Sequence, residues 1–313
     1  MRGCLAGGCA ALAATWLALA GYARASDEEP TPAETVKKTT LGYSVLLVGR
    51  INPLGTKNDF QLHARQSLSS SDHILLKDTF IGANLISSFK PTAVFLGFGA
   101  ELQPLAILKL TASVQWVRYF TPFDNLVSFP TASAEYGDSA IERLGQLGEN
   151  YSTHAVYFFL GALLQAKVGP VAVRSELKAA YAHVDLEAGD NVYYEIEWDL
   201  LPQNRSWVLF NNTDVLYLAE FGLIAGVRYS LAHAFYDERA FAPGEPHKNP
   251  NSPTHRIGPL VGYSFTTKWK AFEKPTLLLI ANWWLKHRYR TGQEVHQAIP
   301  YIVLAFAFRG TLL

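Results

Sequence analysis

The sequence predicts an all-β chain, a closed antiparallel transmembrane β-barrel of about twelve strands preceded by a cleaved signal peptide. Three observations predict it. Long runs alternate apolar and polar residues with period two, which puts one set of side chains on each face of a strand. The first 25 residues read as an export signal, and no later apolar run approaches the ~20 residues of a spanning helix. Aromatic residues such as Trp116, Tyr119, Tyr151, Trp283 and Tyr301 gather at strand ends and apolar midsections. There a ring can sit in an apolar layer while its N–H or O–H meets water.

The pair Tyr151–Val168 and Val171–Leu186, meeting at Gly169-Pro170, shows the pattern best. Proline presets φ for a tight turn and cannot donate to a ladder, so the dipeptide marks a reversal. Val156, Phe158, Leu160, Ala162, Leu164 and Ala166 share one face of the first run, opposite Tyr157, Gln165 and Lys167. In the second, Val171, Val173, Leu177 and Tyr181 alternate with Arg174, Glu176 and Lys178. Both runs exceed the five or six residues of a common soluble strand.

The chain divides into a signal peptide (1–25), a flexible periplasmic segment (26–40) and a barrel (41–313). Arg2, apolar Leu5–Ala20 and the small-x-small site Ala23-Arg24-Ala25 carry the first assignment. Cleavage removes Cys4 and Cys9, so the exported protein has neither disulfide nor thiol metal site. It also removes Arg2 and Arg24 from the 27 basic residues and none of the 27 acidic ones, leaving 25 against 27 and a net charge of −2. Nothing in that balance points to nucleic acid. Charged residues make up 17% of the chain, below the ~25% of soluble domains, and 49% is hydrophobic, which excludes disorder.

In order, the strands are expected at Leu41–Ile51, Phe60–Leu68, His73–Ser88, Ala93–Gln103, Leu105–Phe120, the central pair, Ser206–Leu218, Gly222–Tyr236, His255–Thr266, Thr276–Arg290 and Tyr301–Arg309. Turns at Asn52–Gly55, Ser69–Ser71, Lys90-Pro91, Gln103-Pro104 and Pro202–Arg205 separate them. Thr121–Asn150 is the longest connection, with a short helix near Ser139–Leu147, and Glu238–Thr254 is a loop. Asn191–Asp199 (NVYYEIEWD) reads as an extension of the seventh strand beyond the membrane. Twelve crossings put short turns at one end and the loops 121–150, 238–254 and 291–299 at the other, with both termini on the short-turn side.

The alternating strands, the signal peptide, the lack of later cysteines and the aromatic last strand (YIVLAFAFRG) resemble those of bacterial outer-membrane β-barrel proteins, over Leu41 to the C-terminus. The final residues Arg309–Leu313 depart from the aromatic ending usual in that class. The resemblance implies an outer-membrane location in a Gram-negative cell, periplasmic termini and outer-membrane lipids as partners. It is shared by many functions.

The sequence offers no catalytic constellation. A nucleophile needs a base in reach and a third group orienting it. His154, His183, His233 and His287 fall on expected outer faces; only His183 has an adjacent acid, Asp185. An outer-membrane lipid hydrolase is therefore the third reading. His63, His73, His247 and His255 show no metal-ligand spacing, and no cofactor is implied.

What stands out are charges on expected inner faces: Asp78, Glu101, Lys109, Lys167, Arg174, Glu176, Lys178, Arg228, Lys286 and Arg288. Ionised groups facing lipid are costly, so these belong in an interior. One reading is a water-filled pore whose basic excess favours anionic solutes; the other is a salt-bridged network that fills the barrel. Trp116, Arg118 and Trp283 are placed at the lipid interface, with Arg118 reaching for lipid phosphate. The function expected is a porin-like channel or transporter for small hydrophilic solutes, its mouth narrowed by Thr121–Asn150. A non-conducting structural or adhesion barrel acting through its outer loops is the alternative.

Overall fold

The computed structural model describes residues 39–71 and 73–313. The expected signal peptide, both cysteines and most of the 26–40 segment lie outside the described residues. In chain order the strands are β1 Thr39–Ile51, β2 Gly55–Ser67, β3 Phe80–Lys90, β4 Ala93–Leu105, β5 Leu108–Tyr119, β6 Ser128–Phe129, β7 His154–Val168, β8 Val171–Val184, β9 Val192–Tyr193, β10 Trp207–Leu218, β11 Leu223–Ala234, β12 Thr254–Ser264, β13 Glu273–Lys286 and β14 Tyr301–Thr311. One helix, α1, spans Asp138–Leu147 and ends at Gly148, whose φ of 79° is the left-handed conformation that glycine adopts without a Cβ clash.

All strands but β6 and β9 close into one antiparallel barrel, each beside its sequence neighbour, with β1 pairing β14 from Gly42↔Thr311 to Ile51↔Ile302. Closure leaves no exposed edge. The wall strands are 11 to 15 residues long, enough to cross a bilayer when tilted, since about 9–11 residues suffice. β6 and β9 form a separate two-stranded sheet among the loops.

Alternation places the greasy set outside. Leu47, Leu85, Leu96, Phe98, Trp116, Leu164, Leu177, Val215, Leu279 and Leu304 are all exposed, and together they circle the barrel. The turns at one end are brief, as at Ala106–Ile107 and Gly169–Pro170. The other end carries the connections 120–153, 185–206, 235–253 and 287–300.

The strand count agrees with expectation, but several boundaries move. β2 starts at Gly55, directly after the 52–54 turn, so it is as long as β1. β3 starts only at Phe80, because residues 73–79 are turn and not strand. β13 ends at Lys286, four residues earlier than expected. The segment Asn191–Asp199 does not extend β8 past the membrane. β8 ends at Val184, and residues 192–203 are all buried within the barrel's loop end.

The interior is two-sided. Leu46, Leu216, Ile224, Leu260, Ile280, Trp284 and Val303 point inward and join one buried apolar cluster on the β10–β14 and β1 side. The charged inner face expected all round is thus interrupted by dry packing. On the β2–β8 side a second apolar cluster with Phe95, Val117, Tyr157 and Phe159 packs the loop end, while the inward residues Gln61, His63, Arg65, Lys109, Ser113, Gln115 and Lys178 are only half-buried.

Gly97 marks a tight point in that wall. A Cβ there would lie 2.1 Å from the Val114 carbonyl oxygen on β5. Backbone cannot yield as a side-chain tip can, so Gly97→Val is expected to destabilise the barrel by about 1–3 kcal/mol. Urea unfolding in micelles measures this, and an unchanged midpoint would contradict the contact.

Candidate functional site

The loop 185–206 builds the site. Its acidic residues Glu195, Glu197 and Asp199 alternate with Ile196 and Trp198, and the Glu195 N–H donates to the Leu200 carbonyl oxygen at 3.0 Å, closing a tight hairpin. Each acid meets a different part of the wall. Burying an ionised carboxylate is tolerated only where cations or donors compensate it, so these partners fix where the hairpin rests.

Glu195 Oε2 accepts from Tyr119 Oη of β5 (2.5 Å) and Tyr157 Oη of β7 (3.2 Å), and Tyr157 Oη is 2.8 Å from Tyr193 Oη. Glu197 meets Lys90 at the loop end of β3, with Lys57 of β2 at 3.8 Å. Arg50 of β1 donates to the Ile196 and Glu197 carbonyl oxygens at 2.5 and 3.2 Å. Trp198 packs on Tyr157 and on Phe210 of β10, with ring centroids 5.8 and 4.8 Å apart. Asp199 accepts from Arg290 Nε at 2.8 Å and Tyr194 Oη at 2.9 Å, and lies 3.3 Å from His287 Nε2. Contacts to β1, β2, β3, β5, β7 and β10 make the hairpin a stopper across the loop end.

The charges of the stopper are settled. Burial pushes the Glu197 carboxyl upward, but Lys90, Lys57 and Arg50 outweigh it and leave the group below its ordinary value. Asp199 behaves alike: burial opposes ionisation, while Arg290 and His287 win and hold it low. Burial pushes His287 below its ordinary value, against the pull of Asp199. Arg290 is also fixed to Asp138 at the start of α1, at 2.6 Å, which ties the 120–153 loop to the stopper.

Below the hairpin, the inner face carries two ion-pair clusters. Glu101 of β4 receives Arg65 of β2 at 2.9 Å, Lys109 of β5 at 2.8 Å and Asn84 of β3 at 3.1 Å. Asp214 of β10 takes a bidentate pair from Arg228 of β11 at 2.6 and 2.7 Å, and Arg174 of β8 lies 3.6 Å away. Arg174 is also 3.6 Å from Glu176. Lys178 sits 5.2 Å from the Phe159 ring. A cavity of about 90 Å³ lies beneath the stopper, lined by Lys57, Gln61, Asn84, Lys109, Gln115 and Lys178 among others.

Of the charges expected inside, Glu101, Lys109, Lys167, Arg174, Glu176, Lys178 and Arg228 project to the inner face. Three do not. Asp78 is exposed in the turn before β3, because strand pairing starts at Phe80. Lys286 is exposed opposite His255, since a register shift between β12 and β13 breaks the alternation there. Arg288 lies beyond β13 and holds the outer loop, donating to the Ala134 carbonyl oxygen at 2.9 Å and to Glu135 at 2.8 Å. His287, expected on the outer face, is buried against the stopper.

Trp116, Arg118 and Trp283 face outward. Arg118 touches the His154 ring, and Trp283 Nε1 donates to the Ala298 carbonyl oxygen at 3.0 Å. Sequence reasoning missed Arg50, Lys57, Lys90 and Asp214, together with the three acids of the stopper. The acidic alternation of EIEWD was the available signal. Exposed strand and inward hairpin share that period, so it was read as strand.

A closed antiparallel cylinder with an exposed apolar band, short turns at one end and long loops at the other leaves one architecture. The chain is built as an outer-membrane β-barrel. No family model matches the chain, and no curated protein matches it. Among solved structures it is similar to an outer-membrane channel from Pseudomonas putida F1, at 10% identity over 91% of this chain and 100% of that one, with a TM-score of 0.41. The KdgM porin gives 6% identity, 87% and 99% coverage and a TM-score of 0.37. LpxR from Salmonella typhimurium gives 8%, 86% and 99%, and 0.34. Similarity this low says nothing about what the interior carries.

Proposed function

We propose that the protein is an outer-membrane channel for small hydrophilic solutes, closed in this conformation by the hairpin within 192–203, which acts as its gate. The long loops then face outside and both termini face the periplasm. One observation carries the reading: beneath the stopper, the β2–β8 side of the interior is not packed dry. A barrel that needed only to be filled would continue the apolar cluster all round, because dry packing is cheaper than buried charge. Here Lys109, Gln115 and Lys178 stay half-buried around a cavity directly under the stopper.

The gate is testable because its two stems meet. The Asn204 N–H donates to the Asn191 carbonyl oxygen at 2.8 Å, so residues 192–203 can be replaced by two glycines without moving the wall. In planar bilayers the unmodified chain is expected to be mostly closed and the shortened chain to conduct steadily. If neither conducts, the barrel is a non-conducting one acting through its loops. The hydrolase reading gains no support from His154 and His183. Their rings meet Arg118 and Arg205, at 2.9 Å in the second pair, and neither has a hydroxyl partner among the described residues.

A further inference from the structure

Across β4, β5, β7, β8 and β10 the lipid-facing wall sinks into an apolar furrow of about 470 Å³. Ala100, Ala112, Ala162 and Ala179 line it, and Leu102, Leu110, Leu160, Leu177 and Leu209 stand at full height among them. Cross-strand pairing brings these residues together: Ala112 lies between Ala100 and Leu160, and Leu160 between Ala112 and Ala179. Glu101 and Thr111 also border the furrow, but their side chains turn inward, where Arg65 and Lys109 hold Glu101. Left empty, such a hollow forfeits dispersion contacts along its whole lining.

Towards the loop end the same strands carry a different set of side chains. Phe158 of β7, Tyr181 of β8 and Trp207 of β10 form an aromatic step, with the Trp207 ring centroid 6.2 Å from Phe158 and 5.4 Å from Tyr181. Trp116 of β5 stands beside them, 53% exposed. Beyond the rings, Arg118 of β5 touches the His154 ring of β7, and Arg205, just before β10, lies 2.9 Å from His183 Nε2 of β8. His183 pairs with Val156 in the β7–β8 ladder. The two histidines are therefore diagonal neighbours, roughly 7–8 Å apart at the backbone, and the two guanidiniums lean in from either side.

An arginine that donates to an imidazole spends few of its five donors and keeps its whole charge. Neither Arg118 nor Arg205 makes an ion pair among the described residues. Asp185 and Glu187 share a polar hollow with Arg205 without pairing with it, and Arg239, in the same hollow, is taken by Asp237 at 2.7 Å. Cations, rings and furrow thus follow one another down the same strands. Ala112 and Arg118 are six residues apart on β5, about 20 Å of strand. At a tilt of about 45° that is about 14 Å of depth, one leaflet of a hydrocarbon core about 30 Å thick.

We propose that this face binds one lipid with a net-anionic phosphate headgroup, from the leaflet at the loop end. The phosphate sits between Arg118 and Arg205, whose planar forks match its oxygens. The ester region lies against Trp116 and Trp207, where rings suit the boundary between hydrocarbon and water. The end of an acyl chain fills the furrow. The site is on the outside of the barrel and does not rest on the channel reading.

The probes are phosphatidylglycerol and phosphatidylcholine with identical acyl chains, titrated into the delipidated protein in maltoside micelles and counted by native mass spectrometry. One phosphatidylglycerol should be retained per chain, at least about tenfold more tightly than phosphatidylcholine. The double variant Arg118→Gln/Arg205→Gln should lose that preference. Lys286→Gln, which removes an exposed wall cation outside this face, should keep it. Ala112→Phe should weaken both lipids, because it fills the furrow and leaves the charges in place. Equal retention of the two lipids overturns the proposal, as does a preference that survives the double variant or falls as far with Lys286→Gln. Should the double variant fail to fold, Ala112→Phe decides, since retention unchanged by a filled furrow also overturns it. A second copy of the chain seated on this face would appear as a dimer that Ala112→Phe splits, and would overturn it as well.

Discussion

Replacing Asp214 by alanine is expected to lower the unfolding free energy of the barrel by about 3–5 kcal/mol. Asp214 is fully buried, takes both nitrogens of the Arg228 fork at 2.6 and 2.7 Å, and lies 3.6 Å from Arg174. Its removal takes the bidentate carboxylate from Arg228 and one acidic neighbour from Arg174, both guanidiniums being 1% exposed inside the wall. The penalty is that of uncompensated charge, larger than the worth of the pair itself. Urea unfolding in phospholipid vesicles reads the effect, and a loss under about 1 kcal/mol would show the cluster to be hydrated, as surface pairs are. The double replacement with Arg228→Met should recover much of the loss, because it removes a charge together with its partner.

The second large effect concerns the gate. Glu197→Gln takes from Lys90 its nearest carboxylate and leaves Lys57 to Asp59 at 2.5 Å, so the seated hairpin loses its charged link to β3. The open fraction in planar bilayers is expected to rise about tenfold or more. The pH dependence follows from the same carboxyls. Glu197 faces Lys90, Lys57 and Arg50 with Glu195 and Asp59 nearby, and Asp199 faces Arg290, His287 and Tyr194. Both carboxyls sit below their ordinary values when the hairpin is seated. Their contribution is therefore complete above the released values of about 4, and is lost as pH falls through the lower seated values. Closure should persist from about pH 8 to pH 5 and fail only in stronger acid. Opening near pH 6 would mean that some group other than these carboxylates controls the gate.

Much of the wall was legible from sequence. Alternation across Val171–Tyr181 or Leu277–Leu285 reflects a strict geometric rule, since successive side chains leave a strand on opposite sides. An apolar stripe must meet lipid or a core, and the length of the runs favoured lipid. The same logic put Glu101, Lys109, Arg174 and Arg228 on the inner face. It failed for Lys286, where a register shift broke the alternation, and for Asp78 and Arg288, which lie outside the paired segments.

Sequence by itself thus determined the cylinder: its strand number, its inside and outside, and which end bears loops. It did so because strand alternation is local and the membrane demands one kind of outer surface. Tertiary structure alone decided whether the cylinder is open. The stretch EIEWD has the same alternation whether it runs out from the membrane or turns back into the interior. Its choice depends on Arg50, Lys57, Lys90, Tyr119, Tyr157 and Arg290, which reach it from strands and loops far apart in the chain. Such long-range compensation of buried charge leaves no periodic trace in the segment it holds.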